Sequence, residues 1–182
     1  VKGESLVDTV KTLCSYKIDC IVVRDRWAGV PRKIADVSGV SVIDAGDGKH
    51  QHPTQALLDL YSIWEEKGSF DNHVTSNLDE ALPELDVVYM LRIQRERFEG
   101  APYPNLREYN LLYGLTEERD KLLKPDACVC HPGPINRGVE LDSFMADHPK
   151  RSIILDQVYA GVLVRMAALY LLLGGSNDGI DA

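Results

Sequence analysis

The stretch from Asp44 to Gln55 reads Asp-Ala-Gly-Asp-Gly-Lys-His-Gln-His-Pro-Thr-Gln, and it marks a change from strand to helix. The residues that precede it, from Ser41 to Ile43, are typical of the end of a short buried strand, and its two glycines allow tight turns of the backbone. A proline fits the first turn of a helix, where its missing N–H costs nothing. Beyond Pro53, apolar residues recur at helical spacing: Ala56, Leu57, Leu60, Ile63 and Trp64. The stretch therefore predicts a strand, a loop and a helix that begins at Pro53 and ends near Lys67.

His52 lies in this stretch at the point where the loop gives way to the helix. A helix N-terminus has unpaired N–H groups and the positive end of the helix dipole, and both favour a bound anion. His52 is therefore a candidate ligand for an anionic substrate. The alternative is a loop histidine that only caps the helix, and the spacing does not decide between the two.

The same stretch resembles the signature of the aspartate/ornithine carbamoyltransferase family. The resemblance rests on Gly46 to Gln55, which follow the pattern Gly-Asp-Gly-x-x-Gln-His-Pro-Thr-Gln. The His-Pro-x-Gln core is common to the family, and the longer pattern is that of the branch that uses aspartate. The resemblance implies that His52 contacts the carbonyl oxygen of carbamoyl phosphate and that Gln55 holds its amino group.

The composition is that of an ordinary soluble globular protein. The chain has 182 residues, of which 45% are hydrophobic and 26% are charged, which is enough for one large domain or two small ones. The net charge of -8 and the lack of a basic run argue against a nucleic-acid partner. Anionic ligands stay possible, because a few arginines in a cleft create a local positive field.

Neither a leader peptide nor a membrane span is expected. No apolar run follows the first residues, and the apolar stretch from Val158 to Leu173 is interrupted by Arg165. We expect that stretch to form a buried C-terminal helix. The four cysteines lack Cys-x-x-Cys spacing, so the sequence predicts reduced thiols in a cytoplasmic protein, with no metal and no cofactor.

Helical and strand patterns alternate along the chain, which predicts an α/β fold with parallel sheets and crossover helices. Strands are expected at Ile21–Val23, Ser41–Ala45, Val87–Leu91, Ala127–Cys130 and Ile153–Leu155. In such sheets ligands bind at the carboxyl ends of the strands. Polar residues do follow several of these strands.

Two lobes joined by interdomain helices are expected. The resemblance implies a carbamoyl-phosphate-binding domain made of residues 1–67 and 156–176, and an aspartate-binding domain made of residues 68–155. It also implies that the chain is incomplete. The family's Ser-Thr-Arg-Thr phosphate loop should precede Val1, and several tens of residues should lie between Phe70 and Asp71.

Arg92 and Gln94 follow the third predicted strand and are separated by one residue. In an extended backbone this spacing places both side chains on one face, where they can grip a carboxylate. The alternative is a solvated charged turn. The segment Met-Leu-Arg-Ile-Gln-x-Glu-Arg is similar to a family segment, and this similarity implies that Arg92 and Gln94 bind aspartate.

The segment His131-Pro132-Gly133-Pro134 cannot be regular structure, because two prolines remove backbone donors and fix φ. Its carbonyl groups are left available, although a rigid turn without a ligand has the same pattern. The family has His-Pro-x-Pro here, which implies that the carbonyl oxygens of Pro132 and Gly133 hold the carbamoyl nitrogen and the incoming amine. The ornithine branch has His-Cys-Leu-Pro, so it is disfavoured.

Two further positive residues match family segments. Val23-Arg24-Asp25 resembles Val-x-Arg-His, which implies that Arg24 contacts both the phosphate and the carbonyl oxygen, although Asp25 replaces the histidine. Lys2-Gly3-Glu4 resembles Lys-Gly-Glu, whose lysine reaches the active site of a neighbouring subunit. The alternative for Lys2 is a terminal lysine without a role.

The resemblance as a whole implies an enzyme that transfers the carbamoyl group of carbamoyl phosphate to L-aspartate in pyrimidine biosynthesis. It implies a homotrimer. The continuation from Ile135 to Glu140 is similar to forms of which some assemble with dihydroorotase into a dodecamer. Two alternatives stay open: a carbamoyltransferase for ornithine or another amino acid, and a non-catalytic subunit that serves as a scaffold.

Overall fold

A computed structural model describes residues 3–69, 77–93 and 105–174. The chain divides into two compact units, of which unit 1 is Val1–Leu58 with Gly161–Ala182 and unit 2 is Asp59–Ala160. Which substrate each unit binds stays a prediction. The expected break between Phe70 and Asp71 lies outside the described residues.

Unit 1 is built on one pair of parallel strands. Its complete elements are α1 (Leu6–Cys14), β1 (Cys20–Asp25), α2 (Val30–Ser38) and β2 (Ser41–Asp47). It also contains the start of α3 (Pro53–Lys67) and the last part of α8 (Ile154–Leu172). Cys20 of β1 lies opposite Ser41 of β2. The buried apolar side chains of this unit are Val10, Ile34, Ile43 and Leu58.

Unit 2 is built in the same way on β3 and β4. Besides the rest of α3 and α8, its elements are α4 (Leu78–Ala81), a 3-10 turn (Leu82–Glu84), β3 (Val87–Tyr89), α5 (Leu106–Tyr113), α6 (Glu117–Asp120), β4 (Cys128–Cys130) and α7 (Ser143–Ala146). The two strands are parallel, with Val87 opposite Cys128. Their core includes Leu82, Val88, Leu115, Val129, Leu141 and Met145. Parallel strands combined with helices confirm the predicted α/β fold.

The last predicted strand, Ile153–Leu155, is wrong in extent. Only a single bridge forms, between Ser152 and Val129, and the N–H of Ile153 donates to the carbonyl oxygen of Val129 at 3.1 Å. Helix α8 already begins at Ile154. The apolar residues at this point are compatible with a strand and with a helix, because a short apolar run does not distinguish a buried strand from the first turn of a helix.

The prediction that α8 is a buried helix is also wrong. Only one face is covered, through Ile154, Gln157 and Ala160, whereas Leu155 is 80% exposed and Tyr159 66% exposed. A helix that is apolar on all sides carries no periodic signal for the covered face, so its sequence suggests complete burial. Within the described part of the chain, α8 is the one helix whose length and apolar composition would suit a membrane span.

Candidate active site

Arg24 lies at the carboxyl end of β1 and next to the end of β2. A Cβ atom added at Gly46 would lie 3.2 Å from both Cγ and Nε of the arginine. Gly46 also has a φ of 132°, a value that favours glycine. The absence of a side chain at this position therefore lets Arg24 lie across the end of β2.

The loop that follows β2 is fixed tightly against the end of β1. The N–H of Gly48 donates to the carbonyl oxygen of Asp25 at 2.9 Å. A Cβ atom at Gly48 would lie 2.8 Å from the backbone nitrogen of Ala28, closer than real Cβ atoms come. The carboxylate of Asp47 accepts the N–H of Gly29 at 2.7 Å. Two glycines thus bring the loop with His52 close to the strand that carries Arg24.

His52 and Gln55 lie at the start of α3. The carbonyl oxygen of His52 accepts the N–H groups of Gln55 and Ala56 at 3.0 and 3.1 Å, so His52 lies directly before the first helical residue, Pro53. Its ring is half-buried, with Nδ1 3.5 Å from the hydroxyl of Thr54. Unit 1 therefore holds Arg24, His52 and Gln55. Lys2, the remaining predicted residue of this unit, lies outside the described residues.

The structure adds Arg165, which sequence reasoning treated only as a charge within the apolar helix α8. Its Nη2 lies 3.4 Å from Oε1 of Gln55. A Cβ atom at Gly161 would clash with Nη1 of Arg165, so the glycine leaves room for the guanidinium group in this position. An arginine within an otherwise apolar helix was the available signal.

Arg92 and His131 follow the two paired strands of unit 2. The strands are parallel, and the N–H of Met90 donates to the carbonyl oxygen of Cys130 at 2.9 Å, so both residues leave the same end of the sheet. Burial lowers the pKa of His131, the charge of Arg92 acts in the same direction, and Glu140 opposes both. The structure therefore brings Arg92 near the His131 loop. Gln94 lies outside the described residues.

The loop after His131 has the irregular shape that its prolines predict. Gly133 has a φ of 64°, and the peptide bond between Gly133 and Pro134 is cis. The N–H of Gly133 donates to Nδ1 of His131 at 2.8 Å. Within the described part of the chain, the carbonyl oxygens of Pro132 and Gly133 accept no hydrogen bond. These two oxygens can therefore accept hydrogen bonds from a ligand.

Glu140 is the second residue that sequence reasoning missed. Its side chain and that of His131 are completely buried, with Oε1 of the acid 3.2 Å from Nε2 of the ring. The same oxygen accepts the N–H of Asn136 at 2.6 Å. The available signal was an acidic residue at the end of the family-like segment from Ile135 to Glu140.

No metal centre is apparent among residues 3–69, 77–93 and 105–174, where no group of three or more His, Cys, Asp or Glu side chains could hold an ion. The four cysteines are free thiols, and Cys128 and Cys130 are buried in β4.

The chain belongs to the aspartate/ornithine carbamoyltransferase family. Residues 1–65 match the family's carbamoyl-P binding domain, and residues 34–172 match its Asp/Orn binding domain. The aspartate carbamoyltransferase catalytic subunit of Syntrophotalea carbinolica is 43% identical over 224 residues, covering 97% of this chain and 71% of the relative. That of Campylobacter hominis is 41% identical, covering 94% of this chain and 71% of the relative.

Solved structures of aspartate transcarbamoylase have a fold similar to that of this chain. Aspartate transcarbamoylase from Trypanosoma cruzi in complex with carbamoyl aspartate and phosphate superimposes with a TM-score of 0.84 at 26% identity, covering 95% of this chain and 71% of that one. The same enzyme in complex with N-(phosphonacetyl)-L-aspartic acid gives a TM-score of 0.83 at 27% identity, with the same coverage. The fold therefore agrees with that of a carbamoyltransferase.

Proposed function

We infer that this chain is an aspartate carbamoyltransferase catalytic chain, which converts carbamoyl phosphate and L-aspartate into N-carbamoyl-L-aspartate and phosphate. The observation that carries this conclusion is the similarity, along nearly the whole chain, to catalytic subunits of that enzyme. In the reaction the amine nitrogen of aspartate forms a bond to the carbonyl carbon, and the bond from that carbon to the phosphate oxygen breaks. The departing phosphate can take the amine proton, so a protein base is not required.

The residues of unit 1 are assigned to carbamoyl phosphate. Negative charge develops on the carbonyl oxygen during attack, and donors aimed at that oxygen stabilise the transition state. Arg24 and His52 supply these donors, and Arg24 also contacts the phosphate. The side chain of Gln55 holds the carbamoyl amino group. The glycines at 46 and 48 support this assignment, because they allow the loop and the arginine to approach each other.

The residues of unit 2 are assigned to the amino group and to aspartate. The free carbonyl oxygens of Pro132 and Gly133 accept hydrogen bonds from the carbamoyl nitrogen and the incoming amine. Arg92 binds a carboxylate of aspartate with two parallel hydrogen bonds, and Gln94 occupies the remaining lone pairs. Together they aim the amine at the carbon, and such orientation lowers the barrier by removing the entropy cost of encounter.

The substrate and the assembly are further parts of the proposal. Aspartate is favoured over ornithine because residues 131–134 read His-Pro-Gly-Pro and not the His-Cys-Leu-Pro of the ornithine branch. The working unit is a cytoplasmic homotrimer of pyrimidine biosynthesis in which Lys2 enters a neighbour's site. A dodecamer with dihydroorotase is the larger assembly that residues 135–140 favour. Neither a membrane nor a nucleic acid is a proposed partner.

A second candidate is a non-catalytic carbamoyltransferase-like subunit that acts as a scaffold. One observation favours it: the match to the S. carbinolica subunit extends over 224 residues, whereas this chain has 182. Several tens of the relative's residues therefore have no counterpart here.

An assay of the purified 182-residue chain separates the candidates. Its intact mass is checked first, against the 20.3 kDa of this sequence. Carbamoyl phosphate is then offered with aspartate, with ornithine or with no acceptor, and the carbamoylated product is measured. We expect carbamoyl aspartate alone. Product with ornithine would contradict the substrate assignment, and no product with either acceptor would favour the scaffold.

A further inference from the structure

The pair formed by His131 and Glu140 has a geometry that fixes which ring nitrogen carries the proton. Nδ1 of His131 accepts the N–H of Gly133 at 2.8 Å, so this nitrogen presents its lone pair. Nε2 therefore carries the proton and donates to Oε1 of Glu140, 3.2 Å away. The acid thus selects the Nε2–H form of the ring.

The segment from His131 to Asn136 is held at three points by this pair and one further side chain. The N–H of His131 donates to Oε1 of Gln157 at 2.9 Å, and Gln157 itself donates to Asp59 at 2.9 Å. The N–H of Gly133 is held by the ring, and that of Asn136 by Oε1 of Glu140. Every anchor is an N–H group, and the carbonyl oxygens of residues 132 and 133 are left for a ligand.

Stability alone does not explain a buried acid at this position. The second carboxylate oxygen, Oε2 of Glu140, is buried without a hydrogen-bond partner among the described residues. A buried acceptor without a partner costs free energy of folding, and apolar residues of similar volume often stabilise a protein more than a buried polar pair. The pair must therefore contribute something other than stability, and its contacts indicate that it fixes the conformation of the loop.

We propose that Glu140 is a positioning residue for carbamoyl transfer: by holding His131 in the Nε2–H form, it fixes the Gly133 amide and so the Pro132 and Gly133 carbonyl oxygens. The inference rests on the proposed function. Without Glu140 the ring can turn or move its proton to Nδ1, which would then face the Gly133 N–H with a second donor. The loop would lose one anchor at the ring and another at Asn136, and the two carbonyl oxygens would shift away from the substrate nitrogens.

The test compares Glu140→Leu, Glu140→Gln and a matched core variant, Leu82→Val, with the wild-type chain. The amide oxygen of glutamine can accept both N–H bonds, whereas leucine can accept neither. Leu82 is a fully buried core residue of the same unit that lies outside the loop. Carbamoyl aspartate formation gives kcat and the KM for aspartate, nitrogen-15 NMR of labelled histidine gives the tautomer of His131, and thermal unfolding gives Tm.

We expect Glu140→Leu to lower kcat about 10- to 100-fold, the range for loss of a residue that orients a reacting group, while the KM for aspartate changes little. His131 should show the Nε2–H form in the wild type and in Glu140→Gln, and a mixture in Glu140→Leu. Glu140→Gln should restore most of kcat, and Leu82→Val should lower Tm without lowering kcat.

The outcomes separate this inference from the function on which it rests. A wild-type chain that forms no carbamoyl aspartate overturns the proposed function and, with it, the positioning role. An active wild type with an equally active Glu140→Leu variant overturns the positioning role alone. A loss of kcat in Glu140→Leu with an unchanged tautomer of His131 also overturns it, as does a loss in Leu82→Val of the same size.

Discussion

Arg92 is the residue of unit 2 whose charge is best placed to recognise aspartate. It follows β3, and it is close enough to the loop after β4 to lower the pKa of His131. Its replacement by alanine removes a charge-assisted pair with a substrate carboxylate, which costs about 1.5–3 kcal/mol. We therefore expect Arg92→Ala to raise the KM for aspartate about tenfold or more, with a much smaller effect on the KM for carbamoyl phosphate.

Arg32→Ala is the matched control, because this exposed arginine pairs with Asp36 on its own helix, at 3.2 Å. Its kinetic constants should equal those of the wild type. Steady-state kinetics with each substrate varied in turn make the measurement. An unchanged KM for aspartate in Arg92→Ala, with normal turnover, would remove Arg92 from the aspartate site.

His131 makes the stability of unit 2 depend on pH. Burial lowers the pKa of His131 below its ordinary value of 6.5, so the folded chain takes up this proton less readily than the unfolded chain does. The stability that the neutral ring contributes is complete above about pH 6.5 and is lost as the pH falls toward the folded pKa. Protonation of Nδ1 would also break its bond to the Gly133 N–H.

We expect Tm to fall between pH 6.5 and 5 more steeply for the wild type than for His131→Asn. The amide oxygen of asparagine can accept the Gly133 N–H in place of Nδ1, and it does not titrate. Thermal unfolding of both proteins at several pH values measures the difference. Equal slopes in this range would mean that another group causes the pH dependence.

The loop after β2 contains a glycine, Gly48, that no residue with a Cβ atom can replace without a clash. Gly48 has a φ of 58°, and a Cβ atom there would lie 2.8 Å from the nitrogen of Ala28 and 3.0 Å from the oxygen of Arg26. Both are backbone atoms, so the clash cannot be relieved by a change of rotamer. Gly39, at the end of α2, has a similar φ of 67° but no atom within 4 Å of an added Cβ.

We expect Gly39→Ala to cost only the backbone strain of about 1–2 kcal/mol. Gly48→Ala should cost clearly more, and it should also reduce activity, because the loop leads directly to His52. Chemical denaturation of the two variants compares their free energies of unfolding. Similar values for both would show that the loop moves freely away from residues 26–28.

A helix with a clear local signal could be predicted from the sequence. The bounds of α3 agree with the prediction, because Pro53 opens this helix. The environment of α8 could not be predicted, since it is apolar on all sides and only the tertiary structure decides which face is covered.

The location of the candidate residues was predictable where a motif or a strand end marked them. Arg24, His52, Arg92 and the loop at residues 131–134 lie at strand ends or at a helix start. The link between His131 and Glu140 was not predictable, because they lie nine positions apart in irregular chain, which has no periodicity. The contact of Arg165 with Gln55 was hidden in the same way, since it spans 110 positions of sequence.

At the scale of the whole molecule, an acidic protein must bind two anions. Its net charge is -8, so attraction cannot come from the overall charge and must come from a few cations placed at the site. Arg24 in unit 1 and Arg92 in unit 2 are cations that the proposal assigns to the substrates. A further cation from a neighbouring chain would balance the charge of the substrates, and the long flexible stem of a lysine suits that task.

The assignment of this role to Lys2 in a trimer leads to a complementation experiment. Lys2→Ala and His52→Ala should each be nearly inactive alone, because every site carries one lesion whichever chain supplies the lysine. In a mixed trimer, some sites would combine His52 from one chain with Lys2 from another, both intact. Refolding the two variants together should therefore restore part of the carbamoyl aspartate formation. Each variant refolded alone is the control, and an absence of rescue in verified hybrid trimers would mean that Lys2 acts within its own chain or not at all.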